Sequence, residues 1–305
     1  MSSDPQWREQ SIYPKAWHRF DLAQTTPSLF VNQATTCKWT LEEDLRNYQR
    51  CGAGGMGVWR QKVTAENEDT AIALLIDSGI QVSSVSWVSG FTGTMGYRLP
   101  EFFDDARDAL KLAGLLDADC VLATTGRRGT HIRSHSRRLL LDSLREVGDL
   151  AAEYGVPVAL HPMCDNMSHG FSFMKSLTDA IDILDEVDHP FVKLAFSSYH
   201  NWREPNLQAL IPQILPFVAL VQLSDWKHPR SVFDRHCLGD GEIPLRLIVQ
   251  EFLNHGYAGK FELDVWSEKL WKARIEYAQV IEQQVEYFGR LVAQPIRAPF
   301  VRRNS

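Results

Sequence analysis

Four apolar runs in the C-terminal half of the chain end in side chains suited to moving protons or binding cations. "VPVAL" stops at His161, "FVKLAF" at Ser197 with His200 close behind, "FVALV" at Gln222 with Asp225, and "KFEL" at Asp264. An imidazole titrates near neutrality, so His161 can exchange a proton with a substrate C–H or hydroxyl, with Asp264 or Asp225 orienting the ring. Residues this far apart in sequence act together only if the fold brings their strand ends to one place.

Further residues have the right chemistry for substrate contact. Trp59, Trp87, Trp226 and Trp266 fall at or just beyond the ends of apolar runs, and Trp202 lies in the segment after the sixth. Indole faces there can line a pocket for the C–H face of a sugar, or they can simply cap a core. "TTGRRGTHIRSHSRR" gathers Arg127, Arg128, Arg133, Arg137 and Arg138. A guanidinium suits an anionic group, so Arg127 is a candidate ligand contact, as is Arg235 in "FDRHC"; a solvated loop and helix start is the plainer reading of the cluster. His131 and His135 lack the intervening glutamate of a zincin helix. The glycines of "CGAGGMG" close a helix and open a strand, the reverse of a phosphate-cradling loop, so they read as a tight turn.

The elements that must position these groups are eight short apolar runs, each followed by a segment of helical periodicity. They are "LFVNQ", "MGVWRQ", "QVSSVSW", "CVLATT", "VPVALH", "FVKLAF", "FVALVQLSD" and "KFELDVW". In "TLEEDLRNYQRCG", Thr40 and Glu43 have capping-box spacing and Gly52 stands where a helix ends. Strands apolar at nearly every position are buried on both faces, which with regular helical alternation means a parallel sheet. Eight such units predict an α/β fold, a single (β/α)8 TIM barrel over residues 28–291 of one domain, 1–305, with short N- and C-terminal extensions. Chemistry is then expected at the C-terminal ends of the strands.

Of 305 residues, 44% are hydrophobic and 23% charged, with a formal net charge of -6. This argues against nucleic acid or an anionic membrane as partner, since both reward a basic surface, and leaves a small-molecule substrate as the expectation. The five scattered cysteines form no CxxC pair and read as reduced thiols; with no apparent signal sequence or membrane-length apolar segment, a cytoplasmic location is expected.

The strand-end residues carry a resemblance. "LFVNQATTCKWTLEEDLRNYQRCGAGGMGVWRQKV", "SSYHNW", "VQLSDW", "LGDGEIPL" and "GYAGKFELDVWSEKLW" resemble segments of the sugar phosphate isomerase/epimerase superfamily, the xylose isomerase-like TIM barrels. The resemblance implies a divalent cation held by a glutamate, an aspartate, a histidine and a glutamate after strands five to eight, polarising a carbonyl so that a base removes the α proton. It also implies a homo-oligomer as an option, dimers and tetramers being common in that group.

Carried over position by position, those ligands become His161, Ser197, Gln222 and Asp264. All four depart from the pattern, and one carboxylate, one imidazole and two neutral oxygens hold a hard cation poorly. Zinc or manganese on His161, Gln222 and Asp264 stays open as a cofactor. Without metal, His161, His200 and Asp264 are the catalytic candidates. The expected activity is an isomerase or epimerase acting on a small polyhydroxylated carbonyl compound, sugar or cyclitol. A lyase or dehydratase on a similar substrate, and a non-catalytic sugar-binding or assembly subunit with a degenerate metal site, are the alternatives.

Overall fold

A computed structural model describes residues 27–65, 67–93, 98–164, 170–228, 234–273 and 276–293. The predicted terminal extensions fall outside these residues, apart from the stretches that border the barrel.

All eight apolar runs form strands. β1 (Leu29–Asn32), β2 (Gly55–Trp59), β3 (Val82–Ser89), β4 (Val121–Thr124), β5 (Val158–Leu160), β6 (Val192–Ser197), β7 (Val218–Leu223) and β8 (Lys260–Leu263) pair in parallel in sequence order. β1 also pairs with β8 and closes the barrel. The expected (β/α)8 architecture is thus observed. Several strands are shorter than their apolar runs, as in β5, whose ladder is Val158–Leu160. His161 still extends it, its backbone N–H donating to the Ala123 carbonyl at 2.8 Å.

Strand alternation divides the side chains between two cores. Cys120, Leu122, Ala159, Ala195 and Leu220 point inward and pack together inside the barrel. The alternate residues, such as Val121, Val158, Leu160, Leu194 and Val221, face the helices in a much larger apolar layer. Two residues past Ala159, Ala195 and Leu220 stand His161, Ser197 and Gln222, on the same inward face by the period of two. This alternation delivers polar groups to the mouth.

The helices begin where the local chemistry directs. α1 (Leu41–Arg50) starts at Thr40 with the predicted capping box to Glu43, and Gly52 follows its end at φ 77°. It buries Asp44, which takes the Lys62 ammonium at 2.6 Å and bonds from Gln33 and Thr36. Burial lifts the Asp44 carboxyl to about 6, against the pull of Lys62. The helix Arg133–Tyr154 carries much of the arginine cluster. Arg133 and Arg137 pair with Asp179 and Glu186 of the helix Leu177–Val187, so these charges bridge two helices at the surface. All five cysteines are free. Among the described residues no helix is long and apolar enough to cross a membrane.

Candidate active site

Because the eight strands are parallel, their C-terminal ends share one mouth. His161 reaches it from the end of β5 and is completely buried, 0% exposed. Its ring stacks on Trp87 of β3 (centroids 5.7 Å apart) and meets His200 edge-on at 5.1 Å. Neither ring nitrogen has a hydrogen-bond partner among the described residues. Burial, with the Arg235 charge adding to it, pulls the imidazole down to about 3. His161 is therefore neutral at physiological pH, with one nitrogen carrying a free lone pair.

His200 is bonded on both sides. Arg235 Nη2 lies 3.3 Å from His200 Nε2, and Cys164 Sγ lies 3.3 Å from Nδ1. A guanidinium can only donate, so Nε2 accepts and the ring proton of the neutral imidazole sits on Nδ1, facing the sulfur. His200, expected as a second proton carrier, stands between Arg235 and Cys164 in this arrangement. The arginine occupies its basic nitrogen, and the ring acts as a holder of Arg235.

Asp264 and Gln222 also have partners other than a metal. The Asp264 carboxylate takes a bond from Arg235 Nη1, and both side chains are buried. Gln222 donates to Glu262 at 2.8 Å, leaving its Oε1 without a partner. Ser197 donates its backbone N–H to Asn201 Oδ1 at 3.0 Å. Among the described residues no three histidine, cysteine, aspartate or glutamate side chains are grouped to hold a cation. The donors do not fit a divalent ion: the one carboxylate among the four positions is already paired with a fixed cation. The expected zinc or manganese set of His161, Gln222 and Asp264 thus has no unpaired carboxylate to offer.

Arg235 is delivered by a segment held on two sides. Asp225 and His236 exchange both backbone hydrogen bonds, at 2.8 and 2.9 Å, and Arg235 donates its backbone N–H to Trp266 at 2.9 Å. The Asp225 carboxylate accepts from the backbone N–H groups of Trp226, Gly239, Gly241 and Ile243 at 2.8–3.1 Å. A Cβ on Gly241 would lie 2.4 Å from Asp225 Oδ1, so only glycine allows this approach. Asp225 therefore builds the loop, and the expectation that it orients His161 gives way to this role. The guanidinium stands over the Tyr199 ring at 5.1 Å, and its buried Nε–H has no partner among the described residues.

The other predicted contacts divide into groups. Trp59 packs edge-on against Trp266, which meets Trp271. Trp202 and Trp226 hold the exposed Arg203 between them, at 4.6 and 4.3 Å. Of these tryptophans, Trp87 is the one whose ring meets His161 among the described residues. Arg127 is exposed and donates to the Gly170 carbonyl at 3.2 Å on the neighbouring loop, which places it with the outer loops.

The sequence reading did not single out Glu262. It lies at the barrel centre, fully buried, and accepts from Asn32, Ser83, Ser84 and Gln222 at 2.6–2.9 Å. Burial raises its pKa, opposed by these four bonds. The available signal was the alternation of "KFELDVW": Glu262 shares the inward face of Asp264, one step deeper.

The fold and mouth define a (β/α)8 barrel whose polar site is built from the ends of strands five to eight. Residues 45–290 match the model of the xylose isomerase-like TIM barrel family, and the chain belongs to that family. The structure is similar to protein SMc04130 from Sinorhizobium meliloti 1021 at TM-score 0.79 and 24% identity, over 88% of this chain and 99% of that one. It is similar to the IOLI protein, solved with a zinc atom, at 0.74 and 17%, over 89% and 100%. It is also similar to the 3-keto-D-glucoside 4-epimerase YcjR from E. coli at 0.71 and 15%, over 87% and 99%. At these identities the likenesses speak for the fold. Among curated proteins none is a significant match in sequence.

Proposed function

We propose that the chain is an isomerase or epimerase of a small polyhydroxylated carbonyl compound, a sugar or cyclitol, acting by proton transfer α to the carbonyl. The observation that carries this reading is His161. It is buried at the barrel mouth, held neutral, with both ring nitrogens unpartnered among the described residues and a fixed arginine–aspartate pair nearby.

The lone pair of the neutral ring accepts the α proton, and the C–H electrons form the carbon–carbon double bond of an enediol-type intermediate. Return of the proton to the neighbouring carbon, with the α-hydroxyl proton passing to the former carbonyl oxygen, isomerises the substrate; delivery of a solvent proton to the opposite face of the same carbon epimerises it. The negative charge developing on the substrate favours the imidazolium as it forms, offsetting the desolvation that keeps the ring neutral. Trp87 fixes the plane of the ring. The family likeness to an epimerase supports the reading. A dehydratase would share the first step and then expel a β-hydroxyl.

The test is incubation of the full chain with a panel of ketopentoses, ketohexoses and inososes in D₂O, followed by proton NMR. Solvent deuterium should enter the α position of at least one compound. Absence of incorporation across the panel would count against proton transfer on this substrate class.

A further inference from the structure

We infer that the Arg235 guanidinium takes the place of a divalent cation at this mouth, as the group that bears the negative charge developing on the substrate's carbonyl oxygen. The inference rests on the proton-transfer reading above and gives the site its electrophile.

Three observations converge on it. First, the inward positions that should ligate a cation hold His161, Ser197, Gln222 and Asp264, which together offer a single carboxylate. Second, that carboxylate pairs with Arg235, whose other terminal nitrogen donates to His200. The cation is thus covalently part of the chain and orientated by two side chains from different strand ends. Third, Arg235 Nε–H is buried with no partner among the described residues, as are the His161 nitrogens and Gln222 Oε1. A buried donor costs free energy until something accepts from it, and a carbonyl oxygen gaining negative charge is the acceptor that gains most.

Charge then selects the ligand. Arg235 and Asp264 pair with each other, so neither presents an unpaired charge to the reacting carbons. Among the described residues the unpartnered buried groups include a donor on Arg235, an acceptor on Gln222, one of each on His161 and the amide donor of Asn201, which follows Ser197. Hydroxyl groups both donate and accept, so this set fits an uncharged polyhydroxylated ketone at the reacting end. In the step itself the α proton goes to His161, its bonding pair enters the new double bond, and the carbonyl π pair moves onto oxygen against the Arg235 N–H. Reprotonation at the second carbon, with the hydroxyl proton passing from one oxygen to the other, completes the exchange, and no oxidant or reductant is consumed.

The deciding experiment titrates chelator-treated full chain with Zn²⁺ and with Mn²⁺ by isothermal calorimetry, comparing wild type with Asp264→Asn. We expect no stoichiometric binding that Asp264→Asn weakens. One-to-one binding weakened tenfold or more by Asp264→Asn would overturn the inference. On any ketose that exchanges its α proton in D₂O, the wild-type rate should survive exhaustive chelation. It should fall about 100-fold in Arg235→Met, the usual effect of losing one charge-stabilising donor, and recover in part in Arg235→Lys. Circular dichroism on each variant separates loss of the site from loss of the fold. Exchange that is abolished by chelation and restored by metal would also overturn it. If no compound exchanges at all, the proton-transfer reading fails, while the metal titration still decides whether a cation binds.

Discussion

Arg235 and Asp264 neutralise each other at a depth where either charge alone would be costly. Asp264→Asn should therefore destabilise the fold by about 3–5 kcal/mol in urea unfolding, because it strands a buried guanidinium. Replacing both residues by apolar ones of similar size should recover most of that loss. His161 makes a separate prediction about pH. Its ordinary value is 6.5 and its folded value about 3, so below 6.5 the unfolded chain takes up a proton that the folded chain refuses. Stability falls as pH drops through that window, by up to about 1.4 kcal/mol per pH unit from this one group. Asp44 acts in the opposite sense, since its folded value of about 6 lies above the ordinary 3.8. The measurement is the difference between wild type and His161→Phe in denaturant unfolding from pH 7 to pH 4; it should grow steadily on acidification. At this scale the sequence showed where His161 and Asp264 stand, since each ends an apolar run. It did not show their partners. The Arg235–Asp264 contact spans 29 positions and depends on a loop path that no local periodicity encodes.

Among elements, the segment after β7 decides the site. Asp225 gathers four backbone N–H groups, and the loop it shapes leads Arg235 to the mouth. Asp225→Ala should lower stability by about 2–4 kcal/mol and speed amide hydrogen exchange at Gly239, Gly241 and Ile243. Unchanged protection at those three amides would show that the carboxylate does not hold the loop. The strands themselves were readable because apolar, β-branched runs buried on both faces have few alternatives, and α1 because a capping box is local chemistry. The roles of Asp225 and His200 were not readable. Each looks like a proton-transfer group in sequence, and only the donors around it reveal a structural task.

For the molecule as a whole, Glu262 ties the barrel together. From β8 it accepts from Asn32 on β1, Ser83 and Ser84 on β3, and Gln222 on β7. On the intervening β2, a Cβ at Gly57 would lie 2.4 Å from its Oε2. Gly57→Ala should accordingly cost about 2–4 kcal/mol in chemical denaturation, through displacement of a buried, fully bonded carboxylate. Barrel closure was legible from the count of βα units, whereas this polar core was hidden among strands chosen for their apolar character. Proton transfer at the mouth depends on His161 as the acceptor. Its central measurement is the rate of α-deuterium incorporation from D₂O into an exchanging ketose or inosose, wild type beside His161→Phe. Exchange is expected in the wild type, with a loss of at least about 100-fold in the folded variant. Equal rates in the two proteins would contradict it.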